Sequence, residues 1–395
     1  MNDNKDGLNT SIEKNFKTFE DYLGNFTEVL SEMNELVGTF GNTFADDYQN
    51  FPGQYRMECQ ILRSAGEWSM GLHKSNIEKS IQLAYLTLIS EADHFIYIEN
   101  QFFVSSVAGS NVENKIAQAL INRIINAFRN EQTFKLVIVL PLLPGFEGHV
   151  DDGKSNVMRI QLGWQHATLS KGDNSMFGQL RSAGIERPSD YVKVYGLRNH
   201  CKLPNGKPST EIVYVHSKMM IVDDKIALIG SANINDRSMM GSRDSELAVI
   251  VRDPKTVDSK MDGLKYDARE FAHSLRTKAW KSIFGFESTL QVCDPLSDGL
   301  WDAIDSRTKV IINLNQKNTE LYRDIFGCYP DDTIKKYADV SILKKNSNPS
   351  SYNEQCRYIR GLAVEYPLEF LSQEDLMKAK SFQFGLIIVP YYVFT

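Results

Sequence analysis

Residues 214–236, YVHSKMMIVDDKIALIGSANIND, set His216 and Lys218 two positions apart in an otherwise apolar run and follow them with Gly230, Ser231 and Asn233. An imidazole that titrates near neutrality can attack phosphorus or protonate a leaving oxygen. An ammonium, a hydroxyl and an amide together suit a phosphate anion whose charge shifts as a bond breaks. The set therefore points to displacement at a phosphodiester, carried out without a metal. Side chains alternate along an extended strand, so His216 and Lys218 are expected on one face, with Met220 and Val222 in their row and Val215 and Ser217 opposite. Asp223 and Asp224 read as a turn that returns KIALIG (225–230) beside the first run. That return brings Ser231 and Asn233 to the His216 end, and Glu246 in RDSELAVIV (243–251) is the carboxylate expected to hold an imidazole nitrogen.

The bland alternatives carry weight. A lone strand histidine is usually structural and a strand lysine usually meets solvent, so the pair alone is a weak signal. The chain contains its own control. His200 and Lys202 form a second His-x-Lys, but Lys207 stands where an Asp is needed and no Gly-Ser-x-Asn follows, so this pair reads as a loop. No phosphate-binding GxxxxGK loop and no HExxH occurs.

Several elements must position these residues. FKLVIVL (134–140), HFIYI (94–98), YVKVY (191–195), EIVYVHSKMMIV (211–222), KIALIG and ELAVIV (246–251) are rich in Val, Ile and Tyr and read as strands. Val112, Ile116, Leu120, Ile124 and Phe128 recur at helical spacing, as do Leu264, Ala268, Phe271 and Leu275. The alternation implies an α/β fold, a layered mixed β-sheet flanked by helices. An extra N-terminal helix is expected over 12–37, where Ile12, Phe16, Phe19, Leu23, Phe26, Leu30, Met33 and Val37 form one apolar seam. Pro52 and Gly53 mark a linker. The expected domains are a polar segment with that helix (1–54), a catalytic half-domain (55–293) and a C-terminal extension packed on it (294–395). Within the last, KKNSNPSSYNEQ (344–355) reads as an exposed loop.

The 395 residues carry a net charge of −6, which gives no general attraction to nucleic acid or anionic lipid, so phosphate chemistry has to rest on local groups. Five scattered cysteines read as reduced thiols of a cytoplasmic protein. The first residues lack a signal peptide's basic and apolar regions. The most apolar run, FGLIIVPYYVFT (384–395), is shorter than a membrane span and broken by Pro390, so it reads as a buried strand and membrane contact is expected to be peripheral.

The pattern H-x-K-x4-D-x6-G-S-x-N at 216–233 resembles the HKD motif of the phospholipase D superfamily. RSAGEWS (63–69), HFIYIENQFF (94–103), LPLLPGFEG (140–148), MDGLKYDAREFAHSLR (261–276) and YPLEFLSQEDL (366–376) make the chain similar to eukaryotic phosphatidylcholine-hydrolysing phospholipase D, and so does the terminal Phe394-Thr395. The resemblance implies hydrolysis of phosphatidylcholine to phosphatidic acid and choline through a phosphatidyl-histidine, with transfer to short alcohols. It implies His216, Lys218, Asp223 and Glu246 as motif residues of the catalytic set, with Lys218, Ser231 and Asn233 on the phosphate. His216 is expected as the general acid and base of a histidine pair, Glu246 as a histidine's orienting partner and Asp223 as a structural acceptor. No cofactor is required by this chemistry, and phosphoinositide activation at a phospholipid membrane surface follows from the resemblance. Family members carry two HKD motifs where this chain carries one, so a second is expected from another copy or from sequence beyond this chain. Two alternatives stand beside this: an inactive half that binds lipid head groups or a full-length partner, and a homodimeric phosphodiesterase acting on nucleic acid. The acidic balance counts against the last, so no nucleic-acid partner is expected.

Overall fold

The computed structural model describes residues 57–73, 76–109, 111–150, 156–305 and 314–377. The expected helix at 12–37 and the apolar run at 384–395 lie outside them. Everything below belongs to the compact unit that begins at Glu58.

Strands β1 (Glu58–Ala65), β2 (Glu78–Lys79), β3 (Phe95–Glu99), β4 (Lys135–Val139), β5 (Val192–Lys202), β6 (Pro208–Ile212), β7 (Met219–Val222), β8 (Ile226–Gly230) and β9 (Glu246–Arg252) follow one another along the chain. A hairpin of β10 (Thr256–Met261) and β11 (Leu264–Arg269) comes next, and β12 (Ala363–Glu365) comes last among the described residues. The main sheet runs β12-β5-β4-β3-β7-β8-β9-β1-β2, with β6 paired to β5 off that path. β3, β4 and β5 are parallel neighbours, whereas β7, β8, β9 and β1 are antiparallel. This is the expected layered mixed sheet.

Helices cover both faces. α1 (Ser80–Glu91) and α2 (Ile116–Arg129) pack on each other, and α1 lies against β1. α3 (Asn156–Leu169) follows the β4 loop, α4 (Glu270–Phe284) lies on the opposite face, and α5 (Leu314–Phe326) supports β12. β3 and β4 read as near-continuous apolar runs because both of their faces are buried. On the α4 side the core centres on fully buried Trp280, which packs against Phe95, Tyr97, Phe284 and Trp301 at centroid distances of 5.7–6.3 Å.

One buried ion pair locks α4 to the sheet. Arg276 donates from Nε to Asp224 Oδ1 at 2.7 Å and from Nη2 to Oδ2 at 2.6 Å, and His273 Nδ1 meets Oδ2 at 2.7 Å. Burial pushes the Asp224 carboxyl up, but the Arg276 guanidinium and His273 outweigh it and hold the group below its ordinary value. Asp224 and Arg276 are fully buried, so the turn between β7 and β8 is pinned from within.

Four expectations need correction. His200 and Lys202 do not lie in a loop: they end β5, paired with Thr210 and Pro208 of β6. Residues 211–222 are not one strand: β6 ends at Ile212 on the β5 edge, β7 starts at Met219 between β3 and β8, and 213–218 cross between them. Residues 264–269 are not helical. They form β11, because Asp262 and Gly263 both adopt positive φ, 55° and 75°, and close a tight hairpin before α4 begins at Glu270. Residues 344–355 are not simply a loop, since a helix runs through Asn346 and helical turns occupy Pro349–Ser351 and Tyr352–Gln355.

Candidate active site

The crossover 213–218 keeps the alternation of a strand without its ladder. Val215 is buried in the α4-side core, and the Ser217 hydroxyl donates to Glu99 at the end of β3. His216 and Lys218 consequently project the other way. His216 is exposed, whereas Lys218 is only 8% exposed. The Lys218 ammonium donates to Gln101 Oε1 and to the His216 carbonyl, each at 2.8 Å. Burial lowers its pKa and the nearby Glu246 carboxylate works against that shift. A cation held among the described residues by one neutral amide and one carbonyl keeps a third donor to meet an anion.

β8 returns antiparallel to β7 with Met219 opposite Ile229, and Gly230 N–H donates to the Lys218 carbonyl at 3.0 Å. Gly230 is required here by a close approach: a Cβ would lie 2.5 Å from the Ala248 Cβ and from the Leu247 carbonyl oxygen. The turn that follows is sewn to the chain after β3. Asn100 Oδ1 accepts from Ile234 N at 3.1 Å and Phe102 N at 3.2 Å, and Val104 N donates to the Ile234 carbonyl at 2.9 Å. Asn235 caps the helical turn Asp236–Met239 through Ser238 N at 3.0 Å. Asp236 takes the amides of Glu113 and Asn114, at 2.6 and 2.8 Å.

These anchors bring Ser231 and Glu246 together. Ser231 Oγ donates to Glu246 Oε2, and Ser238 Oγ donates to Oε1 at 2.7 Å. The Glu246 carboxylate is thus held by two serines and not by His216. His216 lies on the crossover before β7, and among the described residues no hydrogen bond joins it to Glu246. The Asn233 side-chain oxygen is buried with no hydrogen-bond partner among the described residues. Asp223 lies elsewhere, at the far end of β7. Its carboxylate accepts the N–H groups of Asp93 at 2.7 Å and of His94 and Phe95 at 2.8 Å, while burial raises its pKa against those bonds. His200 of the control pair contacts Tyr352 and Tyr322 away from this cluster, with Lys202 bonded to Asn353.

Sequence reasoning passed over Gln101, Asn100 and Tyr214. Gln101 links the Lys218 ammonium to the Tyr214 hydroxyl, which accepts from Gln101 Nε2 at 3.0 Å. The signal was the polar ENQ that ends the apolar run of β3, three residues able to hydrogen-bond where a buried strand stops. Their relation to His216 depended on β3 and β7 being neighbours.

Comparison with known proteins bears on this arrangement. A family model described as phospholipase D matches residues 54–211 and 206–298. Human phospholipase D1 is 38% identical over 352 residues, covering 87% of this chain and 32% of that protein. Phospholipase D zeta 1 of Arabidopsis thaliana is 40% identical over 351 residues, covering 80% of this chain and 31% of its own. Phospholipase D1 of Schizosaccharomyces pombe is 47% identical over 234 residues, 58% of this chain and 17% of that one. The chain therefore spans about a third or less of the length of these relatives. With more than half of its length matched by the family model and the His-x-Lys cluster inside the matched part, the chain belongs to the phospholipase D family.

Proposed function

We propose that the chain is one half of a phospholipase D that hydrolyses phosphatidylcholine to phosphatidic acid and choline. The observation that carries this is the Lys218 ammonium, held beside His216 and within the field of the Ser231–Glu246 pair. In the first step a histidine of the second half attacks phosphorus. A P–N bond forms, the P–O bond to choline breaks, and His216 gives its proton to the departing oxygen. In the second step His216 takes a proton from water as the water oxygen attacks phosphorus and the P–N bond breaks. A short alcohol in place of water gives a phosphatidylalcohol. Lys218, Ser231 and Asn233 bind the phosphate oxygens, with charge supplied by protein side chains alone. Phosphoinositides in the membrane act as activators, and the enzyme works peripherally at a cytoplasmic face. Among the described residues no helix is long and apolar enough to cross a membrane.

The second His-x-Lys comes from another half, and one surface supports where it docks. Ile61 and Leu247 are 70% and 63% exposed, on the face of β1 and β9 that also carries half-buried Val249. Arg63 stands opposite Leu247 in this strip, and its edge meets the turn after β8 through the Leu247 backbone, whose N–H donates to Ser231 Oγ at 3.1 Å. Sedimentation with a choline-release assay tests the pairing: turnover should track the dimer and fall with the double substitution Ile61→Asp, Leu247→Asp. A monomer that turns over fully would remove the pairing. His216→Asn, which can neither carry a phosphoryl group nor shuttle a proton, should lower turnover by about 10²-fold or more. Near-full rate in that variant would remove His216 from the mechanism.

A further inference from the structure

Tyr214 is 39% exposed and its ring lies beside the His216 imidazole, centroids 6.3 Å apart and planes 26° from parallel. Two neighbours fix that ring. Gln101 Nε2 donates to the phenol oxygen at 3.0 Å while Gln101 Oε1 holds the Lys218 ammonium at 2.8 Å. Gly145, in the loop after β4, leaves room for it: a Cβ there would sit 2.7 Å from Tyr214 Cζ and Oη. An exposed aromatic face is thus held rigidly next to the proton donor, and one glutamine ties it to the phosphate-binding cation.

A leaving group protonated by His216 must depart along the imidazole, which places its substituent beside this ring. A quaternary ammonium has no N–H to donate and is recognised by an aromatic face. The geometry points to Tyr214 as the residue that recognises a quaternary-ammonium leaving group, with Gln101 as its positioning residue. The inference deepens the choline-releasing function above and rests on it. An ordinary packing role for Tyr214 predicts no preference between a cation and its neutral isostere, so the two accounts separate in a binding measurement.

The test uses the full chain and needs no turnover. Binding of choline and of its uncharged isostere 3,3-dimethylbutan-1-ol is measured by saturation-transfer NMR for wild type, Tyr214→Phe and Tyr214→Leu. Wild type should prefer choline by about 3- to 30-fold, the range expected of a cation over an aromatic face. Tyr214→Phe should keep most of the preference and Tyr214→Leu should lose it. A nuclear Overhauser effect from the N-methyl protons to a tyrosine ring signal that Tyr214→Phe removes serves as a second readout, independent of whether the Leu variant folds. Equal binding of the two ligands by wild type, no saturable choline binding, or an unchanged preference in a folded Tyr214→Leu would each overturn the assignment. Choline recognition without hydrolysis would sink the enzymatic reading alone, whereas hydrolysis with an unchanged preference in Tyr214→Leu would sink only the assignment of Tyr214.

Discussion

Asp223 belongs to the motif, yet its surroundings assign it to the fold, and Asp223→Ala separates the two roles. The substitution strands three backbone donors, those of Asp93, His94 and Phe95. A stranded buried donor costs about 1–3 kcal/mol. Asp93 is exposed and His94 half-buried, so water can replace part of what they lose, while Phe95 is fully buried and cannot recover. The carboxylate's own burial, visible in its raised pKa, is relieved by the change. The net loss is then about 2–4 kcal/mol. Asp223→Asn gives a sharper figure, because His94 and Phe95 share Oδ1 and one amide oxygen can serve both, leaving only the exposed Asp93 amide against an NH2 group. Its loss should be about half that of the Ala variant. Urea unfolding followed by circular dichroism at neutral pH reads both values. An unchanged midpoint for Asp223→Ala, or a catalytic loss in the folded variant without any loss of stability, would refute this reasoning.

Lys218→Met should end turnover with a melting temperature unchanged or raised, because burial already lowers the pKa of this ammonium and its charge is a cost to the fold at neutral pH; calorimetry beside choline release checks both. Arg276→Met leaves the buried Asp224 carboxylate with His273 alone as its side-chain partner and should cost about 3 kcal/mol at neutral pH, the low end for breaking a buried pair, measured as a drop in urea midpoint. The Asp224 pKa is depressed in the folded state, so the pair's contribution is present above the unfolded carboxylate value of about 3.9 and lost as pH falls through the lower folded value. The midpoints of wild type and Arg276→Met should accordingly converge in strong acid. Gly230→Ala forces β8 from β9 and should destabilise by about 1–3 kcal/mol, with a larger effect on activity than on the midpoint because Ser231 moves with it.

Where local pattern and tertiary context agreed, the sequence was legible. β3, β4, β8 and β9 fall within one or two residues of the apolar runs that announced them, since buried strands need continuous Val and Ile. The run 211–222 misled because its β-branched character is equally good for β6, for β7 and for the crossover between them; only pairing with β5 on one side and β3 on the other breaks it. At 264–275 the helical spacing was real from Glu270 onward, but Asp262-Gly263 is a hairpin turn, and turn chemistry overrode periodicity before that point. Among the site residues, the placement of His216 and Lys218 on one side followed from simple alternation. The partners of Glu246 did not, because a carboxylate's contact depends on the order of strands across a sheet, which no single strand encodes.

β3 has a parallel neighbour on one flank, β4, and an antiparallel one on the other, β7. Chain leaving the C-terminal end of β3 therefore has to part company with what lies on either side: β4 continues the same way into its own loop, while the segment feeding β7 arrives from the opposite direction. The C-terminal end of β3 and the N-terminal end of β7 therefore meet at one rim of the sheet. Asn100 and Gln101, leaving β3, and Tyr214 and Lys218, approaching β7, are brought to that rim together by strand polarity, so a graft in either connecting segment would reach the site without altering the strands beneath.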